Sequence, residues 1–92
     1  MIESIKHKGL RLFFEKGDSA KINPKHAKRL RLILSLLHAA HQISDLNFPA
    51  SNLHPLKEKW AGFWSINVSG NWRIIFRFED GNIQDIDYLD YH

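Results

Sequence analysis

Ninety-two residues with 43% hydrophobic content, three Trp and six Phe describe one small globular domain over residues 1–92, too apolar for disorder and too short for a second lobe or a deep enclosed pocket. The net charge of +3 is unevenly placed: nine of the thirteen Lys and Arg fall in residues 1–31 against three acids, so this part carries +6 and the rest −3. Zero Cys excludes disulfides and thiolate metal sites, no apolar run suffices to span a bilayer, and the opening Met1-Ile2-Glu3-Ser4-Ile5 lacks the pattern of a secretory signal, so a soluble, cytoplasmic protein is expected.

Residues 2–7 read as a short edge strand. Leu10, Phe13 and Phe14 at helical spacing then predict a helix of one to two turns ending near Gly17. Asn23-Pro24 opens the main helix, Asn as cap and Pro at the first helical position, and the run from Lys25 to about Gln42 holds good helix formers. Its apolar stripe is Leu30, Ile33, Leu34, Leu37 and His41, while Leu32 and Leu36 widen the surface toward further core or a docking partner. Residues 43–53 read as a loop.

Beyond the loop the period changes to two. Trp64, Ile66 and Val68 alternate with polar residues, Ser69-Gly70-Asn71 makes a turn, and Trp72, Ile74, Phe76 and Phe78 alternate with Arg73, Ile75, Arg77 and Glu79. Asp80-Gly81-Asn82 is a second tight turn, and Ile83 to Leu89 a third strand leading to Asp90-Tyr91-His92. The fold class is therefore α+β, with helices on one face of a twisted sheet.

If Trp72, Ile74, Phe76 and Phe78 face the helices, Arg73 and Arg77 face the other way and make the open face cationic. Near it the chain offers imidazoles at His54 and His92, a carboxylate at Asp90, a phenol at Tyr91 and an ammonium at Lys57. No Cys, G-x-S-x-G elbow, Walker loop or G-x-G-x-x-G is present, which removes the basis for covalent hydrolase, nucleotide-triphosphatase and dinucleotide readings. RNA carries its own nucleophile in the 2′-hydroxyl. A protein that cleaves it needs only a base, an acid and cations around the phosphorane, which this set supplies. His38 and His41 stand three apart and could be joined by His7 or His26 at a metal, but no H-E-x-x-H accompanies them; surface or semi-buried helix histidines are the simpler account, and no metal or cofactor is expected.

Nearly the whole chain resembles the HigB toxins of bacterial type II toxin-antitoxin systems, within the RelE/ParE superfamily. The resemblance is carried by Ile2-x-Ser4-Ile5-x-His7-Lys8-Gly9-Leu10, by Leu53-His54-Pro55-Leu56-Lys57, by Gly62-Phe63-Trp64-Ser65-Ile66-x-Val68 with Asn71-Trp72-Arg73-Ile74, and by Asp90-Tyr91-His92. It implies a RelE-like microbial ribonuclease fold, in which a short N-terminal strand and two helices pack on a mainly antiparallel sheet. It further implies a metal-independent endoribonuclease that cuts mRNA in the decoding site of the ribosome, halts growth, and is neutralised by a HigA-like helix-turn-helix antitoxin whose complex binds operator DNA.

Carried over by position, the catalytic set implied is His54, Lys57, Arg73, Asp90, Tyr91 and His92, with Asn71 as a substrate contact and Arg77 added from its place on the cationic face. His92 is the leading general base or acid and His54 its complement; Asp90 orients an imidazole, Lys57 and Arg73 clamp phosphate, and Tyr91 stacks on a base. Lys6, Lys8, Arg11, Lys21, Lys25, Lys28 and Arg29 suit the backbone of ribosomal RNA. The superfamily also includes a ParE branch that acts on DNA gyrase without cutting RNA, and a simple nucleic-acid-binding domain would use the same cations; the terminal triplet favours the ribonuclease.

Overall fold

The computed structural model describes residues 1–90; Tyr91 and His92 lie outside the described residues. Helix α1 spans Lys8–Lys16 and helix α2 Ala27–Ala39, followed by strands β1 (His54–Pro55), β2 (Phe63–Ser69), β3 (Trp72–Glu79) and β4 (Asn82–Asp90). The strands form one antiparallel sheet in the order β1-β2-β3-β4. The helices cover one of its faces, as the α+β reading expects.

The helix ends follow from local chemistry. The His7 ring accepts the Leu10 N–H at the start of α1, and Gly17, at φ +70°, closes it by donating to the carbonyls near its end, a left-handed cap that suits a residue without Cβ. Asn23 is the expected cap, its side chain accepting the Lys25 N–H at 3.0 Å, but Pro24–His26 forms a 3-10 turn before α2 begins. Helix α2 also ends earlier than expected, at Ala39. Ala40 is extended and buried, and the Asp45 carboxylate draws the His41 and Gln42 N–H groups into the next turn, so His41 leaves the helical stripe and is exposed. Leu30, Ile33, Leu34 and Leu37 are buried as expected, whereas Leu32 is 46% exposed.

Beneath the helices, Ile66, Ile74, Phe76, Ile83 and Ile86 are fully buried and supply the floor of the core. Burial of each such side chain stabilises the fold by roughly 1.5–3 kcal/mol. The expected N-terminal strand is reduced to two parallel bridges, Ile2 with Ile83 and Ile5 with Ile86. Between them β4 bulges at Asp85, whose φ of +55° is held by a 2.8 Å hydrogen bond from its N–H to the Ser4 hydroxyl. The bulge changes the phase of β4. Ile83 before it and Ile86 and Tyr88 after it thereby all reach the core.

Candidate active site

Sheet register determines which candidate groups share a surface. Directly opposed residues point to the same face, so the rows His54–Ser65–Ile75–Asp87, Asn67–Arg73–Leu89 and Phe63–Arg77–Gln84 lie on the face away from the helices. His54 and Arg73 thus share a face, about 10 Å apart across the sheet and about 7 Å along it, from standard strand spacing and rise. A phosphodiester fits between two long side chains at that separation. Contrary to the expectation of an open face, its centre is closed: Ile75 and Ser65 are 1% exposed and Leu56 is buried beside the edge strand, all outside the main core cluster.

His54 sits on the two-residue strand β1, half-buried, with Nδ1 2.7 Å from the Asn52 carbonyl. A carbonyl only accepts, so Nδ1 carries the proton and Nε2 of the neutral ring carries the lone pair. The segment that presents this ring is conformationally demanding, with Ala50, Asn52 and Glu58 all at positive φ. Lys57 is exposed on the same segment, where His54, Pro55, Leu56, Lys57 and Glu58 line a depression of about 320 Å³.

Arg73 is held at the start of β3 by three hydrogen bonds through Nη1, to the Asn67 side chain, to the Gly70 carbonyl at 2.6 Å and to the Trp72 carbonyl at 3.1 Å. These three acceptors are neutral oxygens, so none of them offsets the charge of the guanidinium. Arg77 differs, pairing with Glu79 at 2.7 Å and lying 4.0 Å from Asp85. These carboxylates offset part of its charge. Asn71 is exposed in the β2–β3 turn.

Asp90 is exposed at the end of β4 and pairs with Trp72, one step out of phase with Arg73, so register does not bring the two side chains onto one face. Tyr91 and His92, expected to complete the catalytic set, lie outside the described residues. What holds this end of β4 is an aromatic cluster. Trp72 and Tyr88 stack with centroids 4.7 Å apart, the buried His26 ring lies edge-on to both, and His26 Nδ1 is 2.6 Å from the Tyr88 hydroxyl. Burial pushes the Tyr88 phenol above its ordinary value, with a hydrogen bond from the Asn23 backbone acting the other way.

Of the basic residues, Lys6, Lys8, Arg11, Lys21, Lys25 and Lys28 are exposed, as a phosphate-binding surface requires. Arg29 is engaged within the fold. Its Nη2 donates to the Ala50 and Asn67 carbonyls at 2.8 and 3.0 Å and its guanidinium lies over Phe48, because the loop before β1 and strand β2 each leave a carbonyl that needs a donor. Three of the four histidines weighed for a metal are otherwise engaged: His7 caps α1, His26 meets Tyr88, and His38 accepts the Ile2 N–H at 3.2 Å. No three potential ligands converge among the described residues. Nor, among them, is any helix long and apolar enough to cross a membrane.

Two features of this site were not foreseen. The Asn67 contact with Arg73 was in principle available from the hairpin register, which makes the two residues partners. The buried Ser65, by contrast, left no sign in the alternation, which marks it as outward-facing.

Residues 3–92 match the model of the family described as RelE-like toxin of type II toxin-antitoxin system HigB. The chain is 44% identical over 92 residues, the whole of both proteins, to a protein of Proteus vulgaris named endoribonuclease HigB. It is also 33% identical over 82 residues to an uncharacterized protein of Haemophilus influenzae, covering 87% of this chain and 80% of that one. Its fold is similar to that of a YafQ mutant from E. coli, at TM-score 0.65 and 19% identity over 98% of this chain and 91% of that one. The YoeB–YefM complex from Staphylococcus aureus matches at TM-score 0.63 and 17% identity, over 100% of this chain and 95% of the other.

Proposed function

The chain belongs to the family of RelE-like HigB toxins of type II toxin-antitoxin systems, and from that premise we propose that it is a metal-independent endoribonuclease, one domain over residues 1–92, that cuts mRNA in the decoding site of the ribosome. The observation that carries the chemistry is the shared face of His54 and Arg73, one with its Nε2 lone pair defined and the other a guanidinium among neutral acceptors.

In this reading His54 Nε2 removes the proton from the 2′-hydroxyl, whose oxygen attacks the adjacent phosphorus. Arg73 and Lys57 stabilise the charge that gathers on the non-bridging oxygens. The P–O5′ bond breaks as the leaving oxygen takes a proton from His92, giving a 2′,3′-cyclic phosphate and a free 5′-hydroxyl. Asp90 orients an imidazole, Tyr91 stacks on a base next to the cut, and Asn71 and Arg77 contact the flanking backbone. The exposed cations Lys6, Lys8, Arg11, Lys21, Lys25 and Lys28 dock on ribosomal RNA, which gives binding that weakens steeply with salt.

The protein acts in the cytoplasm, where ribosomes are, and is neutralised by a HigA-like helix-turn-helix antitoxin, through which the complex reaches operator DNA. A toxin-antitoxin family supplies the general expectation of such a partner. The test is cleavage of a defined mRNA with and without purified ribosomes, by the wild type, His54→Ala and Arg73→Ala. Ribosome-dependent cuts that both substitutions suppress by at least about a hundredfold are expected from loss of a base or an oxyanion clamp. Equal cutting of free RNA contradicts ribosome dependence, and unchanged cutting by His54→Ala contradicts the assignment of the base.

A further inference from the structure

We propose that Asn67 is a positioning residue for Arg73, holding its guanidinium at the angle from which it meets the scissile phosphate; the inference rests on the ribonuclease reading above. Three observations carry it. Asn67 is the register partner of Arg73, and its side-chain oxygen accepts from Arg73 Nη1. Its own backbone is anchored on both sides, the N–H donating to the Ser51 carbonyl at 2.8 Å and the carbonyl accepting from Arg29 Nη2 at 3.0 Å. It also stands at the last regular pair before the register shift that ends β2, where a strand would otherwise be freest to move.

The amide is the right chemical type for this task. It orients a cation without neutralising it, so Arg73 keeps its attraction for phosphate, whereas the carboxylates beside Arg77 compete with any anionic ligand. Gly70, at φ +57°, presents a second neutral acceptor to the same nitrogen, so two fixed oxygens define the direction of the fork. Arg29, expected on the surface, becomes part of the support. It ties α2 to the carbonyl of the residue that holds Arg73.

The experiment is single-turnover mRNA cleavage on programmed ribosomes by the wild type, Asn67→Ala, Arg73→Ala and the double variant, with Asn67→Asp as the conservative replacement and thermal melting to report folding. Misplacement of one clamp is expected to slow Asn67→Ala by roughly tenfold in the maximal rate. In the Arg73→Ala background the same change is expected to cost less than about twofold, because residues that act through one another are not additive. Asn67→Asp keeps the acceptor and restores most of the maximal rate, but its charge raises the apparent KM. Should Asn67→Ala fail to fold, Asn67→Val, which suits a strand and offers no acceptor, takes its place with the same expectation.

A rate for Asn67→Ala within about twofold of the wild type overturns the proposal, as does an equal loss in both backgrounds, which marks a purely structural residue. If Arg73→Ala cuts as fast as the wild type, the positioning role falls while the ribonuclease reading stands. If the wild type does not cut at all, both fall.

Discussion

Tyr88→Phe removes a single oxygen from the cluster that holds the end of β4. Tyr88 is 5% exposed and His26 6%, and the hydroxyl lies 2.6 Å from His26 Nδ1, so the deletion strands a buried ring nitrogen where water does not readily reach. Leaving a buried polar group without its partner costs about 2 kcal/mol, which for a chain of this length lowers Tm by roughly 8–16 °C. Thermal melting followed by circular dichroism at pH 7 reads that shift. A second signature is its pH dependence. Because burial raises the folded phenol above 10.0, the unfolded chain ionises first; the stability this gives is complete below pH 10 and is lost as pH rises through the folded value. The wild type therefore carries an alkaline loss that Tyr88→Phe lacks, and the gap between the two narrows above pH 10. A shift at pH 7 of less than about 2 °C, or a gap that stays constant through the alkaline range, refutes the account of this cluster.

Asp45 behaves in the opposite sense. Hydrogen bonds from the His41 and Gln42 backbone hold its carboxyl below 3.8, so its contribution is present above that value and disappears as pH falls through the folded one; melting curves of Asp45→Asn are expected to show a deficit at pH 7 that vanishes in acid. Gly9→Ala places a Cβ 2.7 Å from the Lys21 Cβ and 2.8 Å from its carbonyl oxygen, and urea titration is expected to show a loss of about 1–3 kcal/mol from overpacking. Among the basic residues, Lys25→Glu with Lys28→Glu is expected to weaken ribosome binding and flatten its salt dependence in co-sedimentation while leaving Tm nearly unchanged. Arg29→Met is expected to do the reverse, lowering Tm by removing the donor shared by the Ala50 and Asn67 carbonyls.

The strands were legible because alternation is a strong local signal: Ile66, Ile74 and Phe76 lie in the core as the period-two pattern requires, and Asn23 caps where a cap was expected. The length of α2 was not. Nothing in the run from Lys25 to Gln42 disfavours a helix, and its end is decided by Asp45, six residues beyond Ala39, whose carboxylate takes the N–H groups that a longer helix would have used. The edge strand at residues 2–7 broke for a tertiary reason, since Ser4 meets a bulge at Asp85 that no local rule announces. At the site, alternation placed Arg73 and Arg77 on one face but could not distinguish them. Their difference lies in neighbours, neutral oxygens for one and carboxylates for the other, and those depend on register. Arg29 illustrates the same limit, because charge alone does not reveal that two loop and strand carbonyls lie within its reach.

RNA cleavage by side-chain acid and base on translating ribosomes is read out by mapping mRNA 5′ ends by primer extension after brief induction of the wild type and of His92→Ala. Cuts within translated codons are expected for the wild type and none for the variant. Growth arrest by the wild type without any new 5′ ends would contradict such cleavage and point to a target other than mRNA.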